Sequence, residues 1–215
     1  PTGLRTFTPD PVDPEGEGTF APYAGPLRIP NTTMARVFLD RGVNNWYDAP
    51  FLQNMAPLLP AGSSLAPVIS PTIPVVRSDP SAENYFVQRY VQQFAPDDFL
   101  AKVAEAQLPA FETGESWPFL ATPSRTGSVN TASLVAGWQN PMASLIPYGG
   151  VVTATPLSEA LAQKAAHPET PLWISEVQNG AGEWVAPSAA SVTKAAQDGV
   201  GAPLYGLAEN APGAY

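Results

Sequence analysis

The chain has 215 residues, 44% hydrophobic and only 13% charged, and carries a net charge of −9 from 10 Lys+Arg against 19 Asp+Glu. That length suits one domain or two small lobes, and that apolar content supports a real core, which excludes an intrinsically disordered chain. The acidic balance without a basic cluster excludes nucleic acid as a partner and disfavours anionic lipid. The absence of cysteine excludes disulfides, zinc-thiolate sites and thiol catalysis.

Residues 1–25, rich in proline, glycine and acid, read as an extended arm or linker. The sequence begins at Pro1 with no leader pattern, so a processed product or a piece of a longer chain is expected. No apolar run reaches the roughly 18–20 residues that span a bilayer. A short strand is expected around Leu27-Arg28-Ile29. Asn31 then caps a helix with Met34, Val37 and Phe38 on its apolar face, ended by Gly42. Trp46-Tyr47-Asp48-Ala49-Pro50 reads as a turn, Phe51 to Met55 as a helical turn, and 56–72 as a loop.

A strand over Ile73 to Val76 leads into Arg77-Ser78-Asp79-Pro80-Ser81-Ala82-Glu83-Asn84. Asp79 is expected as the N-cap of the next helix, with Pro80 at its first position. Beyond it, Phe86, Val87, Tyr90, Val91 and Phe94 recur at helical spacing and are expected to face the core. Asp97 caps a following helix that turns Phe99, Leu100, Val103 and Ala104 inward. Residues 109–127 are expected as a loop containing Trp117-Pro118, Val129 to Trp138 as a helix, and Leu145-Ile146 and Val151-Val152 as strand pieces. Pro156 to Ala166 is a helix, and Leu172 to Val177 alternates like a half-exposed strand. Asn179-Gly180 makes a hairpin turn returning through Glu183-Trp184-Val185, and Ser188 to Ala196 is the last helix. Strands alternating with helices define an α/β fold.

The loop after the 73–76 strand carries the chemistry. A helix N-terminus offers backbone N–H groups and partial positive charge, Arg77 offers a planar fork of donors, and Ser81 offers a hydroxyl. Together they form a candidate oxyanion site. The same residues also make an ordinary strand-to-helix connection in which Arg77 pairs with a nearby carboxylate. Catalytic alternatives are poor. His167 is the only histidine and no nucleophile-elbow pattern accompanies it. The carboxylates Asp48, Asp97-Asp98, Glu112 and Glu115 show no spacing that makes one site. No enzyme activity, catalytic residue, metal site or cofactor is expected.

In its order of segments the chain resembles the phosphate-binding component of phosphate ABC transporters, a type II periplasmic-binding-protein fold. Pro26 to Leu39 resembles the strand and helix that precede that family's "W-x-D-P" turn, here Trp46-Tyr47-Asp48-Ala49-Pro50. Ile73 to Ser81 resembles its phosphate loop, "V-x-R-x-D-G-S-G-T", and Val177 to Ser188 its "Q-N-x-x-G-x-F-V-x-P-S" hairpin. Leu145 to Tyr148 and Asn210 to Tyr215 give weaker echoes. The resemblance covers about 26–215 and implies an α/β, periplasmic-binding-protein-like (type II) domain. That domain is one lobe plus hinge and parts of the second, with an N-terminal lobe portion and a closing strand missing.

The resemblance implies an extracytoplasmic solute-binding-type domain, secreted or at the cell surface and held at the membrane through segments outside this sequence. Its partners would be inorganic phosphate or a related oxyanion, and a membrane transporter or other domains of a larger protein. Arg77 would clamp the anion and Ser81 would donate its hydroxyl. The N–H groups of Ser81, Ala82 and Glu83 would complete the cradle, and Asp79 would shape the loop. Where the family has Gly-Thr, this chain has Ala82-Glu83. A glutamate there repels an anion unless its side chain turns away. The departure supports the alternative of a scaffold or protein-interaction domain that keeps the fold without the ligand.

Overall fold

The computed structural model describes residues 5–12, 18–23, 25–43, 45, 48–65, 72–108, 114–119, 124–125, 150–166, 168, 174–179 and 181–198. Among them the architecture is mixed α/β, with small sheets and six α-helices. β1 (Arg5–Thr8) pairs antiparallel with β2 (Thr19–Pro22) and with β3 (Ser64–Leu65). Two stretches expected to be an arm therefore pair as strands, and the Phe7 and Phe20 rings meet at 5.0 Å on the same pair of strands. The chain then runs through α1 (Asn31–Leu39), α2 (Ala49–Met55) and a 3₁₀ turn at Ala56–Leu58.

β4 (Thr72–Arg77) is the centre of a parallel sheet. On one side it pairs with β5 (Ser124–Arg125), and on the other with β6 (Gly150–Thr153). Parallel partners need crossover connections, and the connection from β4 to β5 runs through α3 (Ala82–Phe94) and α4 (Pro96–Glu105). α5 (Leu157–Ala166) follows β6. A hairpin of β7 (Val177–Gln178) and β8 (Trp184–Val185) leads to α6 (Ala189–Asp198).

α1 buries Thr33, Ala35, Val37, Phe38 and Leu39, leaves Thr32 and Arg36 exposed, and divides the apolar interior in two. Val37 joins Leu27, Ile29, Val43, Phe51 and Met55 on one side. Ala35, Phe38 and Leu39 join Val76, Val87, Val91 and Phe99 on the other. Its C-terminus closes at Asp40, in the left-handed conformation at φ 55°, with the Arg41 N–H bonded back to the Arg36 carbonyl at 2.9 Å. Gly42, expected to end the helix, lies two residues further on at φ 64°.

Local expectations are corrected at the helix starts. α1 begins after Pro30, and the Asn31 side chain instead donates to the Gln178 carbonyl at 3.1 Å. α4 begins after Ala95, with Pro96 at its first position and Asp97 inside its first turn. A proline needs no N–H there and holds the helical φ already, so it moves the start upstream. Leu27-Arg28-Ile29 makes only a single parallel bridge, Arg28 to Glu176. The expected helix over Val129–Trp138, the strand piece Leu145–Ile146, His167, Leu172–Trp173, Trp46–Tyr47 and the tail through Tyr215 lie outside the described residues.

The inward faces of α3 and α4 are also rotated from the expected ones. Val87 and Val91 are buried, but so are Asn84 and Gln88, while Phe86 is 58% exposed. On α4, Phe99 is buried and Leu100 is 64% exposed. The rotation of α3 has a polar cause: Asn84 and Gln88 find backbone partners that a phenylalanine could not serve.

Candidate functional site

β4 ends at Arg77, and α3 begins five residues later, at Ala82. The N-cap is Ser81, not Asp79. The Ser81 hydroxyl oxygen accepts the Asn84 N–H at 3.1 Å, from an extended backbone at φ −157°. Asp79 is drawn elsewhere by charge. Its carboxylate takes the Arg77 Nε–H at 3.1 Å and a second Arg77 N–H in a fork-to-carboxylate pair. Pro80 consequently precedes the cap instead of opening the helix.

Asn84 holds the loop together. It is 2% exposed. Its Oδ1 accepts the Arg77 N–H at 3.2 Å, and its Nδ2 donates to the carbonyls of Arg77 at 2.9 Å and Asp79 at 3.2 Å. One buried amide thus closes the turn from strand to helix and fixes where Arg77 leaves the sheet.

Glu83, in the first turn of α3, does not turn away. Its Oε2 accepts from Arg77 Nη1 at 2.9 Å. The Arg77 and Glu83 side chains are 16% and 17% exposed, and Asp79 is 29% exposed. Hydrogen bonding to Asp79 chiefly raises the Arg77 pKa above its ordinary value; burial opposes this, and the Glu83 charge adds to it. The guanidinium is permanently charged, and with both carboxylates ionised the three side chains sum to −1.

A second segment covers the helix start. The Ser81 N–H donates to the Glu115 carbonyl at 2.8 Å. Gln88, fully buried, donates to the carbonyls of Gly114 and Ser116, each at 2.8 Å, and accepts the Gly114 N–H at 3.1 Å. Residues 114–119 form a strap over α3, anchored at its far end by Phe119 against Phe99 of α4.

The structure therefore brings Arg77, Asp79, Ser81 and Glu83 together around one loop, with Ala82 as the first helical residue. Two of the other carboxylates weighed for catalysis are engaged apart from it, and Glu112 lies outside the described residues. Asp98 pairs with Arg36 at 2.7 Å, and Asp48 accepts the Asn45 N–H at 2.9 Å. Among the described residues no group of three or more His, Asp and Glu is placed to hold a metal ion. Asn84, Gln88 and the Glu115 carbonyl are site residues that the sequence reading missed. Their only signal was position, since Asn84, Gln88 and Val91 share one helical stripe. No known family model matches the chain, and no characterised protein matches it in sequence.

Proposed function

We propose that the chain is a solute-binding-type α/β domain that takes phosphate or a related oxyanion beside the N-terminus of α3. One observation carries this reading: the Arg77 guanidinium, fixed at the end of β4, already donates to carboxylate oxygens on two faces at this loop. A fork of donors so held suits a tetrahedral oxyanion, and the first turn of α3 adds its dipole. The role is binding, with no catalytic residue. By the family resemblance, the domain works outside the cytoplasm and passes its ligand to a membrane transporter or to neighbouring domains.

A second reading has an observation of its own. The Ser81 N–H and hydroxyl oxygen are both engaged within the chain, and Arg77 is paired twice. A cluster so satisfied stands without a ligand, which suits a scaffold that keeps the fold for protein contacts. Calorimetric titration with phosphate at neutral pH, with sulfate as control, separates the two. The binding reading expects saturable heat with phosphate that Arg77→Ala abolishes. Unchanged affinity in Arg77→Ala, or absence of heat at millimolar phosphate both in wild type and in Glu83→Gln, overturns it in favour of the scaffold.

A further inference from the structure

Glu83 is a carboxylate of this chain seated on the guanidinium that the proposed ligand would use. Its Oε2 lies 2.9 Å from Arg77 Nη1, in a contact where both side chains are mostly out of water. Asp79 uses Nε and Nη2 from two residues away along the chain, and its carbonyl is pinned by Asn84. Asp79 therefore belongs to the loop's own framework. Glu83 differs: it reaches back from the first turn of α3 on a longer side chain, and neither the β4 ladder nor the α3 cap depends on it.

We propose that Glu83 is an internal competitor, an autoinhibitory carboxylate that occupies Arg77 until an external oxyanion displaces it. The inference rests on the oxyanion reading above. An incoming anion meets a cluster already at −1, so it must both expel the Glu83 carboxylate from Nη1 and accept its charge nearby. Glu83 thereby sets a high concentration threshold for binding. Removing its charge while keeping its shape leaves Arg77 and Asp79 as a neutral pair, with an amide oxygen in place of the carboxylate at Nη1.

The test is phosphate titration of the full chain by calorimetry, for wild type, Glu83→Gln, Arg77→Ala/Glu83→Gln and Asp98→Asn. Asp98→Asn removes the same unit of charge from an ion pair on α4 and controls for net charge. A thermal melt of each variant confirms folding. A charge-assisted bond of this kind corresponds to at least about a tenfold change in an equilibrium. The expected result is binding at least about tenfold tighter in Glu83→Gln, no such gain in Asp98→Asn, and loss of binding when Arg77→Ala is added. Equal phosphate affinity in wild type and Glu83→Gln overturns the competitor role and leaves the oxyanion reading standing. Absence of binding in both overturns the two together. A gain of the same size in Asp98→Asn overturns the competitor role by assigning the effect to bulk charge.

Discussion

At the scale of single residues, buried polar groups decide more of this structure than the hydrophobic pattern does. Asn84 and Gln88 occupy positions that a reading by hydropathy gives to solvent, yet each serves three backbone partners in the interior. A buried, unsatisfied peptide group costs about 1–3 kcal/mol, so an amide that satisfies several is retained inside. Nothing in the residue names announces such partners: those of Asn84 sit in the preceding loop, and those of Gln88 come from a segment distant in sequence. Tyr23 is a further case. It is 4% exposed, and its hydroxyl donates to the Pro26 carbonyl at 2.7 Å. Burial pushes its pKa above 10.0; the nearby Arg28 charge opposes the rise and Glu176 reinforces it. A folded-state pKa above the unfolded value means that the neutral phenol's contribution is complete below about pH 10 and is lost as pH climbs through the folded value. Urea unfolding at pH 7.5 and above pH 10 is expected to show wild type losing stability more steeply than Tyr23→Phe. That variant pays about 1 kcal/mol at neutral pH for the unpartnered Pro26 carbonyl. Parallel losses in the two proteins would remove Tyr23 from the pH response.

At the scale of elements, the sequence was most legible where apolar spacing and turn chemistry agree. β4, α1, α3, α5 and the 177–185 hairpin lie where spacing placed them, within a few residues. The Asn179 signal works through its side chain: Oδ1 accepts the N–H groups of Ala181 and Glu183, and Gly182 supplies the positive φ of 81°. The Arg77 loop was legible as a strand-to-helix junction with chemistry, but its cap was misassigned. Asp79 and Ser81 are both good capping residues, and only the position of Arg77 decides which is free to cap. The strap at 114–119 was not legible at all, because it has no period and its anchor is one glutamine on α3. Gln88→Leu keeps the size of that side chain and removes its three bonds. It is expected to unfasten the strap while α3 persists. Amide hydrogen exchange checks this, with the Gly114 and Ser81 amides losing protection by about tenfold or more and the α3 interior amides changing little. Uniform loss across α3 would mean that Gln88 supports the helix and not the strap.

At the scale of the whole molecule, the described residues close on themselves through contacts that span most of the chain. The backbone of Leu27 accepts the Glu176 N–H at 2.8 Å, and Arg28 Nε donates to Glu176 Oε2 at 2.6 Å. The same guanidinium lies 5.7 Å from the centre of the Trp184 ring. One side chain from the first third of the sequence therefore grips β8 and the residue that leads into β7. With side-chain exposures of 30% and 19%, the pair is partly screened, so its coupling falls near the upper end of surface ion pairs, about 1 kcal/mol. A cation over an indole adds about 0.5–1 kcal/mol, which Glu176 substitution leaves intact. A double-mutant cycle separates the two contributions. Arg28→Met is expected to cost more than Glu176→Gln, because it loses both partners, and the cycle is expected to return about 1 kcal/mol of coupling by urea unfolding. Raising salt from low to physiological strength is expected to shrink that coupling only in part, since a half-buried pair is screened less than an exposed one. Coupling below about 0.3 kcal/mol would make the backbone bridge, and not the ion pair, the tie between the two ends. In that case the separate losses of Arg28→Met and Glu176→Gln would simply add in the double variant.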